Sequence, residues 1–366
     1  MRGAGVHDDP AVIGGLLEAV RLAAARLDRE VALMEVCGSH THAIAASGLR
    51  RRLPENVRLI SGPGCPVCVT PVTYLDAAWS LALQHGAILA TFGDLLRVPS
   101  SRGSLETLRA QGGAVETVYS PRDAVTLARR HPGRTVVFLA VGFETTTPTI
   151  AAALEEAERT GVENFLVLPG NKVMPPPLEA LLEAEDVAVD GFLLPGHVSV
   201  ITGSDAFRFL EDAGVPGVVA GFSPADVLRA VLELLRQLGE GRAATVNLYE
   251  RVVTPGGNPA ARRLVARYFE PADATWRGLG PIPRSGLVLG SSWRHRDASA
   301  LPLELPDPVE PPGCRCGDVL RGVIDPPQCP LFGRLCTPEN PVGACMVSSE
   351  GSCAAWYRHE QWRKAE

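Results

Sequence analysis

Strand-sized apolar runs recur along the first two thirds of the chain, at 31–36, 57–61, 87–92, 115–119, 135–141, 165–168, 192–194 and 218–220. Between most of them the apolar positions shift to helical spacing, at 73–85, 104–111, 121–130, 148–160, 175–183, 205–213 and 224–238. A further amphipathic helix is expected at 11–27, with Leu16, Leu17, Val20, Ala24 and Leu27 near one face. Strand followed by helix, repeated at intervals of roughly 20–30 residues, is the pattern of a parallel α/β fold. These units can close into one barrel or divide between two open sheets. The stretch is short for a barrel, which typically takes ~250 residues. Two Rossmann-like sheets are therefore expected, with a break near Tyr119-Ser120-Pro121. In either arrangement, binding residues belong beyond the carboxyl ends of the strands.

Those ends are chemically rich. The first run leads into Cys37-Gly38-Ser39-His40-Thr41-His42, where the strand is expected to open into a loop. Thiolate and imidazole bind soft and borderline metals, iron among them. A cysteine at a strand end is most often a small buried hydrophobe; its company sets this one apart. The second run leads into Gly62-Pro-Gly-Cys65-Pro-Val-Cys68, and the third into Gly93-Asp94. The fifth is followed by Gly142-Phe-Glu144-Thr-Thr-Thr-Pro148, the sixth by Pro169-Gly-Asn171-Lys172 and the seventh by Pro195-Gly-His197-Val-Ser199. The eighth is followed by Gly221-Phe-Ser223-Pro. Any one of these is a common turn or helix cap. Together, on the binding face of one fold, they point to a polar cleft between the sheets. Cys65 and Cys68 form a CxxC, which reads as a redox dithiol or as half of a metal site.

Composition narrows the setting. A formal net charge of −6 gives no pull toward nucleic acid or an anionic membrane. The best apolar run, 136–143, is strand-sized and too short to span a bilayer. The first ten residues lack the apolar core of a signal peptide. A cytoplasmic location with no membrane and no nucleic-acid partner is expected. Nine cysteines in a reducing compartment argue for metal or redox chemistry, not a disulfide framework. The runs Arg50-Arg-Arg52 and Arg262-Arg263 read as solvated faces.

From residue 240 the strand–helix rhythm is lost, and 302–312 is a proline-rich acidic connector. Six cysteines follow: Cys314, Cys316, Cys329, Cys336, Cys345 and Cys353. Structural zinc usually takes CxxC pairs, which this tail lacks. Thiolates on irregular spacings in Gly/Pro-rich loops suit an iron–sulfur cluster better. Four ligands would leave two cysteines, enough for a redox disulfide beside the cluster.

With these motifs in place the chain resembles the HypD family, hydrogenase maturation factors that help build the Fe(CN)2CO unit of [NiFe] hydrogenases. The resemblance rests on the segments 37–42, 62–68, 142–145 and 195–199 and on the tail. It implies two Rossmann-like domains and a third domain with a [4Fe-4S] cluster, in a setting similar to ferredoxin:thioredoxin reductase. The tail matches the family's cluster spacing, with fourteen, six and sixteen residues between Cys314, Cys329, Cys336 and Cys353. Cys316 and Cys345 then match the family's extra pair, a disulfide near the cluster. The position of Cys37 is the family's iron ligand, shared with a cysteine of the small partner HypC. HypE is the implied cyanide donor, and the hydrogenase large subunit is the indirect recipient.

The combined expectation is an α/β fold of two Rossmann-like parallel-sheet domains plus a C-terminal cysteine-rich iron–sulfur domain. The domains are placed at 28–120, at 121–239, and at 1–27 joined with 240–366. Cys37 holds transient iron and His40 tunes it or moves protons, while Glu144, Asn171, Lys172 and His197 line the cleft. Electrons are expected to run from cluster to Cys316/Cys345, then to Cys65/Cys68, then to the iron. Two rivals stay open: an iron–sulfur thiol–disulfide reductase of a partner protein, and a binding protein with a structural zinc tail. The chain has no GxxxxGK[ST] phosphate loop and no CxxxCxxC.

Overall fold

A computed structural model describes residues 9–360. Its strands are β1 (Val31–Glu35), β2 (Val57–Ser61), β3 (Ile88–Thr91), β4 (Val115–Thr117), β5 (Val136–Gly142) and β6 (Phe165–Asn171). They continue with β7 (Gly191–Pro195), β8 (Gly217–Ala220), β9 (Thr245–Asn247), β10 (Phe269–Trp276) and β11 (Gly280–Leu289). Parallel pairing sorts them into two sheets, ordered β2-β1-β7-β8-β9 and β4-β3-β5-β6. β1 runs in register with β2 from Val31–Val57 to Glu35–Ser61 and with β7 from Leu33–Gly191 to Glu35–Leu193. β5 is buried at every position. This fits a parallel sheet covered on both faces, whose central strands read as unbroken apolar runs.

The pairing corrects the expected grouping of the strands. The second sheet is an insertion between β2 and β7, so the first sheet is built from both ends of the α/β region. The Ser120-Pro121 break falls inside the second sheet: Pro121 opens the helix Pro121–Arg130, which joins β4 to β5, and Ser120 Oγ caps it by accepting from Arg122 N. A serine before a proline marks a helix start as readily as a linker. The N-terminal helix Pro10–Ala24 also moves from its expected place in the third domain. Its Ile13, Val20 and Ala24 share a core with Val31 and Leu33 of β1 and with Leu228, Val231 and Leu235 of the helix Pro224–Glu240. Residues 1–8 and 361–366 of that expected third domain lie outside the described residues.

Both sheets reverse strand order near their middle, and such switch points open crevices at the carboxyl ends of the strands. In the first sheet the reversal lies between β1 and β7, which place Cys37 and His197 at its two sides. In the second it lies between β3 and β5, which lead to Asp94 and Glu144. Past the rhythmic region, β10 and β11 form an antiparallel hairpin with an irregularity between Ala272 and Ala274. The hairpin packs on the end of β6 through Val173 N, which donates to Ser285 O at 3.0 Å. Trp276 is fully buried there, and its indole N–H donates to Ser285 Oγ at 2.8 Å. No helix among the described residues is long and apolar enough to cross a membrane.

The second sheet's core should depend on Phe138, which is fully buried in the middle of β5. Phe138→Ala is expected to lower unfolding free energy by about 3–5 kcal/mol, read from the urea midpoint.

Candidate functional site

β1 ends at Glu35, and two residues later Cys37 caps the helix Gly38–Ser47. The segment expected as a loop is therefore a strand turning straight into a helix. The turn is held by Gly38 N, which donates to Gly64 O at 2.8 Å, and by Gly62 N, which donates to Glu35 O at 2.8 Å. Gly64 is required by contact: a Cβ there would lie 2.3 Å from Cys37 N. The CxxC loop is thus pressed against the backbone of Cys37.

Burial pushes the Cys37 thiol up to about 12; the backbone N–H groups of His40 and Ser39 oppose this, and the carboxylates of Glu350 and Glu35 add to it. Without a cation beside it, Cys37 is a thiol and not a thiolate. His40 is also fully buried, and burial lowers it to about 4, so its ring is neutral. Its Nε2 lies 3.0 Å from Gly221 O, which fixes the proton on that nitrogen. Nδ1 is then an unprotonated lone pair, and it has no hydrogen-bond partner among the described residues. Phe222 bridges the two histidines, stacking on His197 at 4.0 Å and tilting against His40 at 4.6 Å. His197 is exposed, and its Nδ1 lies 3.4 Å from Ser39 Oγ, which donates to Glu350 Oε1 at 2.8 Å. Cys37, His40 and His197 are thus gathered at one switch point. His42 is separate and packs edge-on against His359.

Beneath Cys37 lies a buried ionic group. Thr41 Oγ1 lies 2.8 and 2.9 Å from the two Glu35 oxygens, and Arg50 is 3.7 Å from Glu35 and 3.6 Å from Glu360. Arg50 is therefore not on the solvated face expected of it.

Cys65 and Cys68 are 3% and 0% exposed, and Cys68 N donates to Cys65 Sγ at 3.2 Å. Burial first, then the thiols of Cys345 and Cys65, push the Cys68 thiol well up. Cys345 is the junction: it lines one cavity with Cys316 and Cys353, and Cys68 Sγ lies 3.9 Å from the carbonyl of the adjacent Ala344. The neighbouring Cys316 thiol, together with burial, pushes the Cys314 thiol up. A small cavity of about 10 Å³ is lined by Cys314, Cys316, Cys329, Cys336, Cys345 and Cys353, with Leu331, Phe332 and Met346. All nine cysteines are unpaired by disulfide. Among the described residues, no three His, Cys, Asp or Glu side chains converge to hold one metal ion.

The tail that carries this cavity is tied to both sheets. Ser348 Oγ donates to Asp94 Oδ2 at 3.0 Å, Arg97 reaches Pro338 O at 2.9 Å, and Glu350 holds Ser39. The remaining cleft candidates gather elsewhere, around the end of the second sheet and the hairpin. Glu144 Oε1 accepts from Met174 N at 2.9 Å, while its Oε2 and Asn171 Oδ1 have no partner among the described residues. Lys172 Nζ donates to Thr275 O at 2.8 Å and lies 5.4 Å from the Trp276 ring; burial lowers it to about 8. Among the described residues, no hydrogen bond or ion pair joins these three to Cys37.

The sequence profile described as "HypD: Hydrogenase formation hypA family" matches residues 11–360. The chain belongs to the HypD family. It is 48% identical over 357 residues to the hydrogenase maturation factor HypD of Azotobacter vinelandii, covering 95% of this chain and 94% of that one. It is 45% identical over 359 residues to the Escherichia coli HypD, covering 96% of each.

Glu144 gives a pH test. Burial raises its carboxyl to about 7 from 4.5, so folding favours the protonated form. Its contribution is full below pH 4.5 and is lost as pH rises through about 7. Urea unfolding of wild type and Glu144→Gln at pH 5 and pH 8 should show the variant gaining on wild type by about 3 kcal/mol at most, from ~1.4 kcal/mol per pH unit. A gap that does not change with pH would contradict the buried neutral carboxyl.

Proposed function

We propose that this chain is a hydrogenase-maturation scaffold that holds iron at Cys37 while the Fe(CN)2CO group is assembled on it. The observation that carries the reading is the closeness of the sulfurs around Cys345, which lines the tail cavity while Cys68 Sγ lies 3.9 Å from the carbonyl of the adjacent Ala344, in the loop whose Gly64 packs on Cys37. Iron is the cargo here. A thiolate is electron-rich and suits ferrous iron that must keep CO and cyanide. Cys37 is protonated at rest, so iron loading releases a proton. His40 Nδ1 is the neutral buried base, or second donor, nearest in sequence. His197, Asn171 and Lys172 are candidate donors to cyanide; His197 is the one at the Cys37 switch point. The partners follow the family: HypC to share the iron through its own cysteine, and HypE to deliver cyanide.

The tail fits a resident [4Fe-4S] cluster held by Cys314, Cys329, Cys336 and Cys353. Six thiols ring one cavity with apolar walls, and a Cβ at Gly343 would sit 2.5 Å from Cys314 Sγ, so the wall has no room to spare. A cluster in that cavity supplies single electrons. The chain's own part is to store and pass them in pairs. Reduced Cys316 and Cys345 carry two electrons and two protons. A Cys345 thiolate attacks a Cys65–Cys68 disulfide at Cys68, which releases Cys65 as thiolate; Cys316 then displaces Cys68 and closes Cys316–Cys345. The CxxC leaves as a dithiol beside Cys37. The rival reading, a reductase acting on a partner protein, is disfavoured by burial: a partner's disulfide cannot reach Cys65 or Cys68 at 3% and 0% exposure.

The test is the infrared spectrum of anaerobic protein coexpressed with HypC. Bands of metal-bound cyanide and CO are expected in wild type and absent in Cys37→Ala. A silent window in wild type that still carries a brown cluster would favour the reductase. Cys65→Ala should lower ligand loading at least tenfold while iron–sulfur absorbance persists; full loading would remove the relay.

A further inference from the structure

The turn of the β10–β11 hairpin, residues 277–279, is wedged between the CxxC loop and the first cysteines of the tail. Arg277 leads it and is 3% exposed. Its backbone N donates to Val69 O at 2.9 Å and its Nε to Thr70 O at 2.9 Å, so it holds the chain immediately after Cys68 at two points. Gly278 meets the other side: its φ is +83°, and a Cβ there would lie 2.4 Å from Gly317 Cα, next to Cys316. The far end of the guanidinium is almost bare. Nη1 lies 3.3 Å from Glu310 Oε2, a half-exposed carboxylate, and neither Nη1 nor Nη2 has a hydrogen-bond partner among the described residues. A guanidinium is a fixed cation with five N–H donors, and this one has donors left for an anion besides Glu310. The Gly278–Gly317 contact, one residue along from Arg277 and from Cys316, brings the Cys314–Cys316 segment up to the arginine. Neither Arg277 nor Glu310 belongs to the motifs read at the strand ends.

We propose that Arg277 is the positioning residue of the redox path, clamping the Cys65/Cys68 loop against the Cys314–Cys316 segment and directing its free guanidinium nitrogens at the anionic sulfurs of the cysteine cavity. The proposal rests on the cluster reading above. A cation beside an iron–sulfur centre favours the reduced, more negative state, and hydrogen bonds to its sulfurs act in the same direction. Arg277 therefore makes the centre easier to reduce. Through Thr70 O it also keeps Cys68 within reach of Cys345.

The experiment is an EPR-monitored redox titration of the full chain, purified anaerobically, as wild type, Arg277→Gln, Arg277→Lys and Glu310→Gln. Arg277→Gln is expected to lower the reduced-to-oxidised ratio about tenfold at fixed ambient potential, a downward shift of ~59 mV for one electron. Arg277→Lys, which keeps the charge, should restore most of it. Glu310→Gln removes the competing carboxylate at an exposed position and should shift the ratio the opposite way. An unmoved potential in Arg277→Gln with iron and sulfide content intact overturns the proposal. If that variant does not fold, Glu310→Gln decides: an upward shift supports the proposal and an unchanged potential overturns it. A wild-type protein with no iron–sulfur signal overturns the cluster reading, and this proposal with it.

Discussion

Cys345 is fully buried in a lining shared with Cys316 and Cys353, and Cys68 Sγ lies 3.9 Å from the carbonyl of the adjacent Ala344. Thiols packed this closely raise one another's proton affinity as soon as one ionises, and burial adds to the penalty. The arrangement gains little as hydrophobic packing, because smaller apolar side chains would fill the space without that cost. It makes chemical sense when cations or oxidation remove the negative charge. The rest of the molecule can be read as the means of holding that contact. The first sheet presents Cys37 and the CxxC loop, the hairpin turn fixes the loop, and the tail is tied to Asp94 of one sheet and to Ser39 of the helix that follows β1.

The two sheets contribute through their switch points. The insertion of the second sheet between β2 and β7 lets residues from both ends of the first sheet flank one crevice. His197 reaches Ser39 across 158 residues of sequence, and Glu350 reaches it across 311. Glycine sets the closeness at the key point: Gly64 packs on Cys37 N with no room for a side chain. The ordering of groups around Cys37 is also electrostatic. Burial keeps His40 neutral and Cys37 protonated.

Much of this was legible in the sequence. The α/β rhythm gave each strand of the two sheets up to β8, because buried parallel strands are short apolar runs bounded by turn residues. The rule that sites lie past strand ends led to Cys37, Cys65, Cys68 and His197. Pairing was not legible. Which strands lie side by side depends on crossover packing, and Ser120-Pro121 carries the same local signal whether it starts a helix or ends a domain. The hairpin was missed because its bulge and its prolines interrupt the period-two pattern. Arg277, Glu350 and the Glu35–Arg50 pair are not legible for a different reason. Each is an ordinary residue in its local text, and only long-range contact makes it part of the site. Arg50 sits in a basic run that reads as a solvated face, yet its partners Glu35 and Glu360 are 15 residues and 310 residues away.

The central claim is that one chain carries two kinds of iron, a cluster ringed by the tail cysteines and cargo iron on Cys37. A Mössbauer spectrum of isotope-enriched protein, purified anaerobically with its small partner, tests it most directly. Two components are expected, one from the cluster and one from a single low-spin ferrous ion, and Cys37→Ala should remove only the second. A single component in wild type, or loss of both in Cys37→Ala with the fold intact, would contradict the account.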